Sequence, residues 1–526
     1  MGKRNRLGSR MPKIPLWLAR RYQWILPILV IAVLSPSYWV ALHTPAAGIY
    51  HDDSIYLVTA RTLAEGRGYW IESIPTPIAQ TKYPVLFPAL LAIVWKLAPA
   101  FPANLLYFKL VPLLAALLWF WLSYLLIQQE SGNTLFAISA IALVASSPQV
   151  IFIGTMVLSE TLFAALATAS LLLLIRHSRS NSIGLLVGAA ILAAAAYHTR
   201  TIGFCLILGG VAALAWQRKF RRALLFGSIC AALAAPWIAW QYLHRGSPDP
   251  YLSQENYYSA YNIVLNFKWD EKLSIALINL ISLPFSATAL LDLKWGGIIG
   301  LICVPFFLRA FHRPGLPIFV RCFLLFSGAV ILLWVWPPLR FIVPLFPLIL
   351  WAVWSGFPLA ARTLLLAAIW VLFLHAAWSS HGFSKQALIS GLWCPVPTGP
   401  QEWHEFTRQL DWIRSKTPPD AVIQANVDPT VYLYTNRHAI RGSYANASLA
   451  YYLDEPQPLG TAAQFRASLI RNRVGYVLES PWSWFLETRM FTRLIEENLR
   501  LHPESMRVDY RSPSEKYLIY RFIAPE

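Results

Sequence analysis

Asp52 and Asp53 are adjacent carboxylates directly after the first long apolar stretch, within Tyr50-His51-Asp52-Asp53-Ser54-Ile55-Tyr56. A carboxylate can take a proton from an attacking hydroxyl or amine. Beside a membrane segment such a pair is costly unless it does chemistry or faces water. More ionisable residues stand at the ends of other apolar runs: Lys82, Glu160, His198, Arg200 and Arg340. Lysine and arginine supply charge-assisted donors that suit a departing phosphate. If one face of the molecule collects these groups, they suit group transfer from a phosphate carried on a lipid.

The elements that must position them are membrane helices. The chain has 526 residues, of which 56% are hydrophobic and 13% charged. Apolar runs recur at about 20 residues, the length that crosses a bilayer core. Together with abundant Trp and Tyr, this excludes an ordinary soluble enzyme. The net charge of +18 does not point to nucleic acid, because the basic residues fall in short clusters between apolar runs, as the positive-inside rule produces. Cys205, Cys230, Cys303 and Cys322 lie in apolar runs and Cys394 stands alone. They form neither a disulfide framework nor a metal knuckle.

Residues 1–23 are basic and carry no acid. The arm is expected in the cytoplasm, with 24–42 as a retained first span that delivers Asp52 and Asp53 to the outer face. Residues 84–98 are apolar but only about 15 long, too short for an ordinary crossing, and are read as an interfacial helix. The spans that follow are 105–127, 135–153, 161–175, 183–197, 204–216 and 224–242. Residues 273–291 are read as a second interfacial helix. The last spans are 295–308, 323–336, 341–357 and 364–378. The sum is about eleven transmembrane helices, with almost every basic cluster inside. This register brings Asp52, Asp53, Lys82, Glu160, His198, Arg200 and Arg340 to the outer side.

From 380 the composition turns polar. An amphipathic helix is expected over 402–416, strands over 421–425, 475–478 and 516–522, and a helix over 486–499. The domain reading is therefore 1–379 in the membrane, with an outer loop 43–104 carrying the acidic pair, and 380–526 as a small soluble α/β domain outside it. A segment of that length can hold its own core.

Each site residue also has a plainer explanation. Asp53 can cap the helix that follows it. Glu160 can charge the start of a span. Arg200 and Arg340 can snorkel, and His198 can be a satisfied interfacial histidine. The case for a site is that all of them share one side. A divalent metal beside Asp52, Asp53 and His198 is chemically reasonable, though the sequence does not require one.

The order of several motifs resembles the GT-C glycosyltransferases, in the branch of the protein O-mannosyltransferases and the lipid A aminoarabinose transferase. Asp52-Asp53 followed by Lys82-Tyr83-Pro84 resembles their first outer loop, with Asp53 standing where Glu is commoner. Ser159-Glu160-Thr161-Leu162-Phe163 resembles their second acidic motif, and His198-Thr199-Arg200-Thr201-Ile202-Gly203 a basic turn. Arg340-Phe341-Ile342-Val343-Pro344 resembles their Arg-aromatic-x-x-Pro segment.

The resemblance implies a GT-C-type polytopic α-helical membrane protein that transfers a sugar from a polyprenyl phosphate to a lipid, glycan or protein. On the outer face of a bacterial inner membrane, Asp52 or Asp53 would be the base. Glu160 would shape the site, and Lys82, Arg200 and Arg340 would hold the donor phosphate. Tyr56, Tyr83, His198 and the loop tyrosines Tyr257 and Tyr258 would line the substrates. The rival readings are a transporter or flippase for a lipid-linked sugar, a surface-polysaccharide polymerase or ligase, and a non-catalytic scaffold. A transporter would need ionisable groups at mid-span, whereas here they gather at span ends.

Overall fold

A computed structural model describes residues 16–48, 50–244, 268–313, 315–334, 336–395, 403–441, 461–481 and 486–524. The tyrosine loop with Tyr257 and Tyr258 lies outside these residues. The apolar runs form helices because a helix satisfies its own backbone where water is absent. They are α1 (Leu16–His43), α4 (Leu105–Ser131), α5 (Thr134–Ser146), α6 (Pro148–Thr155), α7 (Glu160–Ser180), α8 (Ile183–Thr199), α9 (Phe204–Trp216), α10 (Phe220–Leu243), α11 (Trp269–Ala289), α12 (Gly296–His312), α13 (Ile318–Leu332), α14 (Leu339–Ile342), α15 (Phe346–Gly356) and α16 (Arg362–Ser390).

Among the described residues, seven helices are long and apolar enough to cross a membrane, α14 and α15 counting as one. The pair α5 and α6 makes an eighth, bent by 68°. Pro148, which cannot continue the ladder, opens α6, and the Ser147 hydroxyl caps that helix by accepting from the Val150 N–H at 3.3 Å.

The two ends of this bundle differ in charge. At one end Arg176 reaches Gln129, Arg179 pairs with Glu130 and Lys219 donates to the Ser178 carbonyl. Phe136, at the start of α5, stacks on Trp354, and Arg362 sits over that same Trp354 ring. The other end carries Asp52, Glu160, Arg200 and Arg340 and is called the site end below.

Residues 273–289 fall in α11, expected as an interfacial helix, which at 21 residues is by length and composition also apolar enough to cross. Its contacts lie away from the basic end. The Asn279 amide donates to the carbonyls of Ile331, Leu332 and Trp334 at the end of α13. Leu290, just past α11, accepts from Ser147 at the α5–α6 break. The last membrane helix runs on to Ser390, so the change of composition near 380 falls inside α16 rather than at its end.

Between α1 and α4 a loop holds α2 (Asp52–Ala64), a two-strand ribbon β1 (Trp70–Ile71) and β2 (Ile78–Ala79), and α3 (Leu86–Leu97). At 12 residues α3 is too short to cross. Its Phe87, Leu91 and Trp95 pack on Ile55, Tyr56 and Leu57 of α2 in a small core. The Trp95 indole N–H donates to the Leu57 carbonyl at 3.1 Å.

After α16 come α17 (Trp403–Lys416), β3 (Val422–Ala425), α18 (Asp428–Thr435), β4 (Ala439–Arg441), α19 (Ala462–Arg471), β5 (Val474–Glu479), α20 (Leu486–Leu501), β6 (Met506–Arg511) and β7 (Leu518–Phe522). The sheet order is β4-β3-β5-β7-β6. Strands β4, β3 and β5 are parallel, joined through α18 and α19, while β7 and β6 return antiparallel. A small α/β domain was expected. The short β4, the charged β6 (Met506-Arg507-Val508-Asp509-Tyr510-Arg511), and α18 between two strands carry too weak a pattern to be read from sequence.

Candidate active site

Asp52 is the first residue of α2, and its two carboxylate oxygens are taken by different partners. The Tyr83 hydroxyl donates to one, and an Arg340 guanidinium N–H donates to the other at 2.6 Å. The Arg340 Nε–H donates to Glu160, the first residue of α7, whose residue surface is 1% exposed. Arg200 closes the network. It pairs with Glu160 at 2.9 Å and donates to the Ser159 hydroxyl at 3.1 Å, and that hydroxyl also bonds the Tyr56 hydroxyl at 2.9 Å.

Loop α1–α4, the start of α7, the turn after α8 and the start of α14 therefore meet at one point. The sequence placed Asp52, Glu160, Arg200 and Arg340 on one side, and the structure brings them into contact. Arg340 bridges two carboxylates and also lies 5.3 Å from the Tyr50 ring centre. Bonding capacity remains, because the buried Arg340 Nη2 and Glu160 Oε2 have no hydrogen-bond partner.

Lys82 belongs to the same field. Its ammonium sits 5.0 Å from the Tyr83 ring centre. The Gln80 side chain shapes this turn by accepting from the Lys82 and Tyr83 backbone N–H groups at 2.7 and 3.2 Å. The end of α10 fixes it, through Trp240 to the Gln80 carbonyl and Gln241 to the Thr81 carbonyl.

Burial alone would raise the Asp52 carboxyl. The Arg340 guanidinium, then Lys82 and the Tyr83 hydroxyl, hold it instead well below the usual carboxylate range. Burial pushes the Tyr56 hydroxyl up, so it keeps its proton. Beside the network a narrow cavity of about 40 Å³ has a mainly apolar lining that includes Tyr56, Tyr83, Arg200, Ile331, Trp334 and Phe341.

Asp53 and His198 do not join this network. Asp53 is 0% exposed and turns back on its own loop, accepting from the Gly48 N–H at 2.6 Å and the Tyr50 N–H at 2.9 Å. It is not the cap of α2, because the helix begins one residue earlier and the residues it holds precede it. His198 points to α10, its Nε2 bonded to the Leu233 carbonyl at 2.8 Å. Asp52, Asp53 and His198 therefore make no shared ligand set. Among the described residues no group of three His, Cys, Asp or Glu could hold a metal. Chain adjacency suggested the pairing, but successive helical residues point about 100° apart.

Tyr83 was expected only as a substrate wall and is a hydrogen-bond partner of Asp52. The pair of His51 with Asp428, at 3.3 Å, was not foreseen. Asp428 lies 377 residues away and opens an otherwise unmarked short helix.

No family model matches the chain, and no curated protein matches it. Solved structures do. ArnT from Cupriavidus metallidurans, bound to undecaprenyl phosphate, aligns at a TM-score of 0.57 with 14% identity, over 96% of this chain and 100% of that one. The same protein in its apo state aligns at 0.56. The archaeal oligosaccharyltransferase AglB from Archaeoglobus fulgidus, in complex with an inhibitory peptide and a dolichol-phosphate, aligns at 0.51 with 13% identity, over 94% of this chain and 74% of that one. The fold of this chain is that of the GT-C membrane glycosyltransferases.

Proposed function

We propose that this chain is an integral-membrane glycosyltransferase that moves a sugar from a polyprenyl phosphate to a lipid, glycan or protein. The reading rests on one observation above all: two carboxylates from distant parts of the chain share Arg340, beside Lys82, Arg200 and a narrow apolar cavity. Neighbours in fold carry lipid phosphates, undecaprenyl phosphate in ArnT and dolichol-phosphate in AglB. The basic clusters at the opposite end of the bundle orient that end to the cytoplasm. The site and the α/β domain then face outward, on the periplasmic side of an inner membrane.

In the reaction, an acceptor oxygen or nitrogen attacks the anomeric carbon as the bond from that carbon to the phosphate oxygen breaks. The acceptor proton passes to Asp52, and the phosphate leaves toward Lys82, Arg340 and Arg200. One displacement inverts the anomeric centre. Asp52 is a weak base while Arg340 holds it. A donor phosphate would draw on the same guanidinium, starting from its free Nη2, and so raise the proton affinity of Asp52 when the substrate is in place. Glu160 keeps Arg200 and Arg340 aimed. Asp53 shapes the loop, and no step is assigned to a metal. Tyr56, Tyr83 and the apolar cavity would receive the first part of the lipid tail or the sugar.

Purified protein incubated with a panel of polyprenyl-phosphate sugars and a membrane extract should yield a glycosylated product by mass spectrometry. Movement of intact lipid-linked sugar across a vesicle, with no product, would overturn the reading in favour of transport.

A further inference from the structure

The α/β domain touches the catalytic loop at its most constrained point. Gly48 (φ 84°) and His51 (φ 61°) both adopt left-handed backbone. That conformation is strained for a histidine and persists only where surrounding contacts impose it. Asp53 holds the loop from inside through the Gly48 and Tyr50 N–H groups.

From the other side comes α18. The Thr430 hydroxyl donates to the Gly48 carbonyl at 2.7 Å, and the Asp428 carboxylate accepts from His51 Nε2 at 3.3 Å with both side chains buried. The fit is close, since a Cβ on Gly48 would lie 2.4 Å from Thr430 Oγ1. Further along the seam Arg61 donates to Asn436 at 3.1 Å, and the Ala439 N–H to the Ser73 carbonyl at 2.8 Å. Leu433 of α18 is buried in the core of α2 and α3, apart from the core formed by Phe465, Leu469, Val477 and Ile495 in its own domain.

We propose that Asp428 and Thr430 are positioning residues for transfer: the α/β domain splints the loop at Gly48 and His51 and so sets where Asp52 stands against Arg340. The inference rests on the reading of Asp52 as proton acceptor. Asp52 directly follows His51, so a shift of the loop moves its carboxylate relative to Arg340 and Tyr83. A misplacement of about 1 Å costs about 10²-fold in rate. The donor side is built from Lys82, Arg200, Arg340 and the Tyr56–Phe341 cavity, none of which α18 contacts through any of these bonds.

The test uses the full chain in nanodiscs, with Asp428→Ala, Asp428→Asn and Thr430→Val. Three quantities are read: kcat, affinity for undecaprenyl phosphate, and amide hydrogen exchange over residues 48–55. Asp428→Ala and Thr430→Val should lower kcat about 10²-fold, hold donor affinity within about twofold, and speed exchange over 48–55 while the sheet of the α/β domain stays protected. Asp428→Asn keeps an acceptor for His51 and should restore most of kcat. Wild-type kcat in both Asp428→Ala and Thr430→Val, or exchange unchanged over 48–55, overturns the proposal. So does a fall in donor affinity in step with kcat, because that marks general damage. If the wild type transfers no sugar, the glycosyltransferase reading fails by itself, and exchange still decides whether α18 holds the loop.

Discussion

Replacing Asp52 by asparagine keeps an acceptor for the Tyr83 hydroxyl but removes the charge that faces Arg340 and the group that takes the proton. Asp52→Asn should lower transfer by about 10²–10⁴-fold, the range for loss of a general base, in protein that is still inserted. Asp53→Asn should act differently. Its two oxygens each accept from one backbone N–H, and an amide keeps only one of those acceptors and leaves the other N–H facing a donor, so a stability loss of about 1–3 kcal/mol is expected in thermal unfolding. A normal melting curve with abolished transfer would instead return Asp53 to the chemistry.

The ionisation of Asp52 is also open to test. Its carboxyl lies below its ordinary value, so its contribution to stability is present above about pH 4 and fades as pH falls toward the lowered folded value. Acidification from pH 7 to about pH 5 should leave it intact. In Arg340→Gln the burial remains and the largest opposing charge is gone. The acid limb of kcat/KM should then climb by about one pH unit or more, against the wild type in the same buffer series. An unmoved limb would detach Asp52 from the proton transfer. Asp52, Lys82, Glu160, Arg200 and Arg340 were legible in the sequence because each interrupts an apolar run at its end. The outward turn of His198 and the inward turn of Asp53 were not, since sequence gives a side chain's place and not its direction.

Among the elements, α10 shows how a membrane helix serves a loop that it does not adjoin in the chain. Its last turn presents Trp240 and Gln241 to the carbonyls of Gln80 and Thr81, at 2.9 and 2.8 Å, directly before Lys82. Gln241→Ala removes one of these bonds, worth about 1 kcal/mol. It should weaken donor affinity by about fivefold and leave kcat nearly unchanged, as read by donor titration. A fall in kcat at constant donor affinity would remove the assigned role.

Long helices such as α4 and α7 were readable because their apolar length admits few alternatives. The helix α11 shows the opposite case. Its length and apolarity suit a span, yet Asn279 ties it to the last carbonyls of α13, and that tie is a tertiary fact. Likewise α18 is eight residues opened by Asp428 and Pro429, and its importance comes from what it meets across the seam.

For the whole molecule, charge and topology make a joint claim. Arg176, Arg179, Lys219 and Arg362 gather at the end opposite Asp52, and positively charged segments are retained in the cytoplasm. Two exposed positions separate the faces without disturbing the site. Ala100 lies between α3 and α4 at the site end, and Ser180 closes α7 at the basic end. Because the native cysteines are buried or half-buried, a single added thiol can dominate the labelling. In intact spheroplasts, Ala100→Cys should react with a membrane-impermeant maleimide, and Ser180→Cys should react only after permeabilisation. The reverse pattern would put Asp52, Arg340 and the α/β domain in the cytoplasm, where a lipid-phosphate donor presented on the outer face could not reach them. Equal labelling of both positions in intact cells would mean that the chain does not span the membrane in this register. The fold relationship to ArnT and AglB would then survive while the sidedness of the proposed reaction fell.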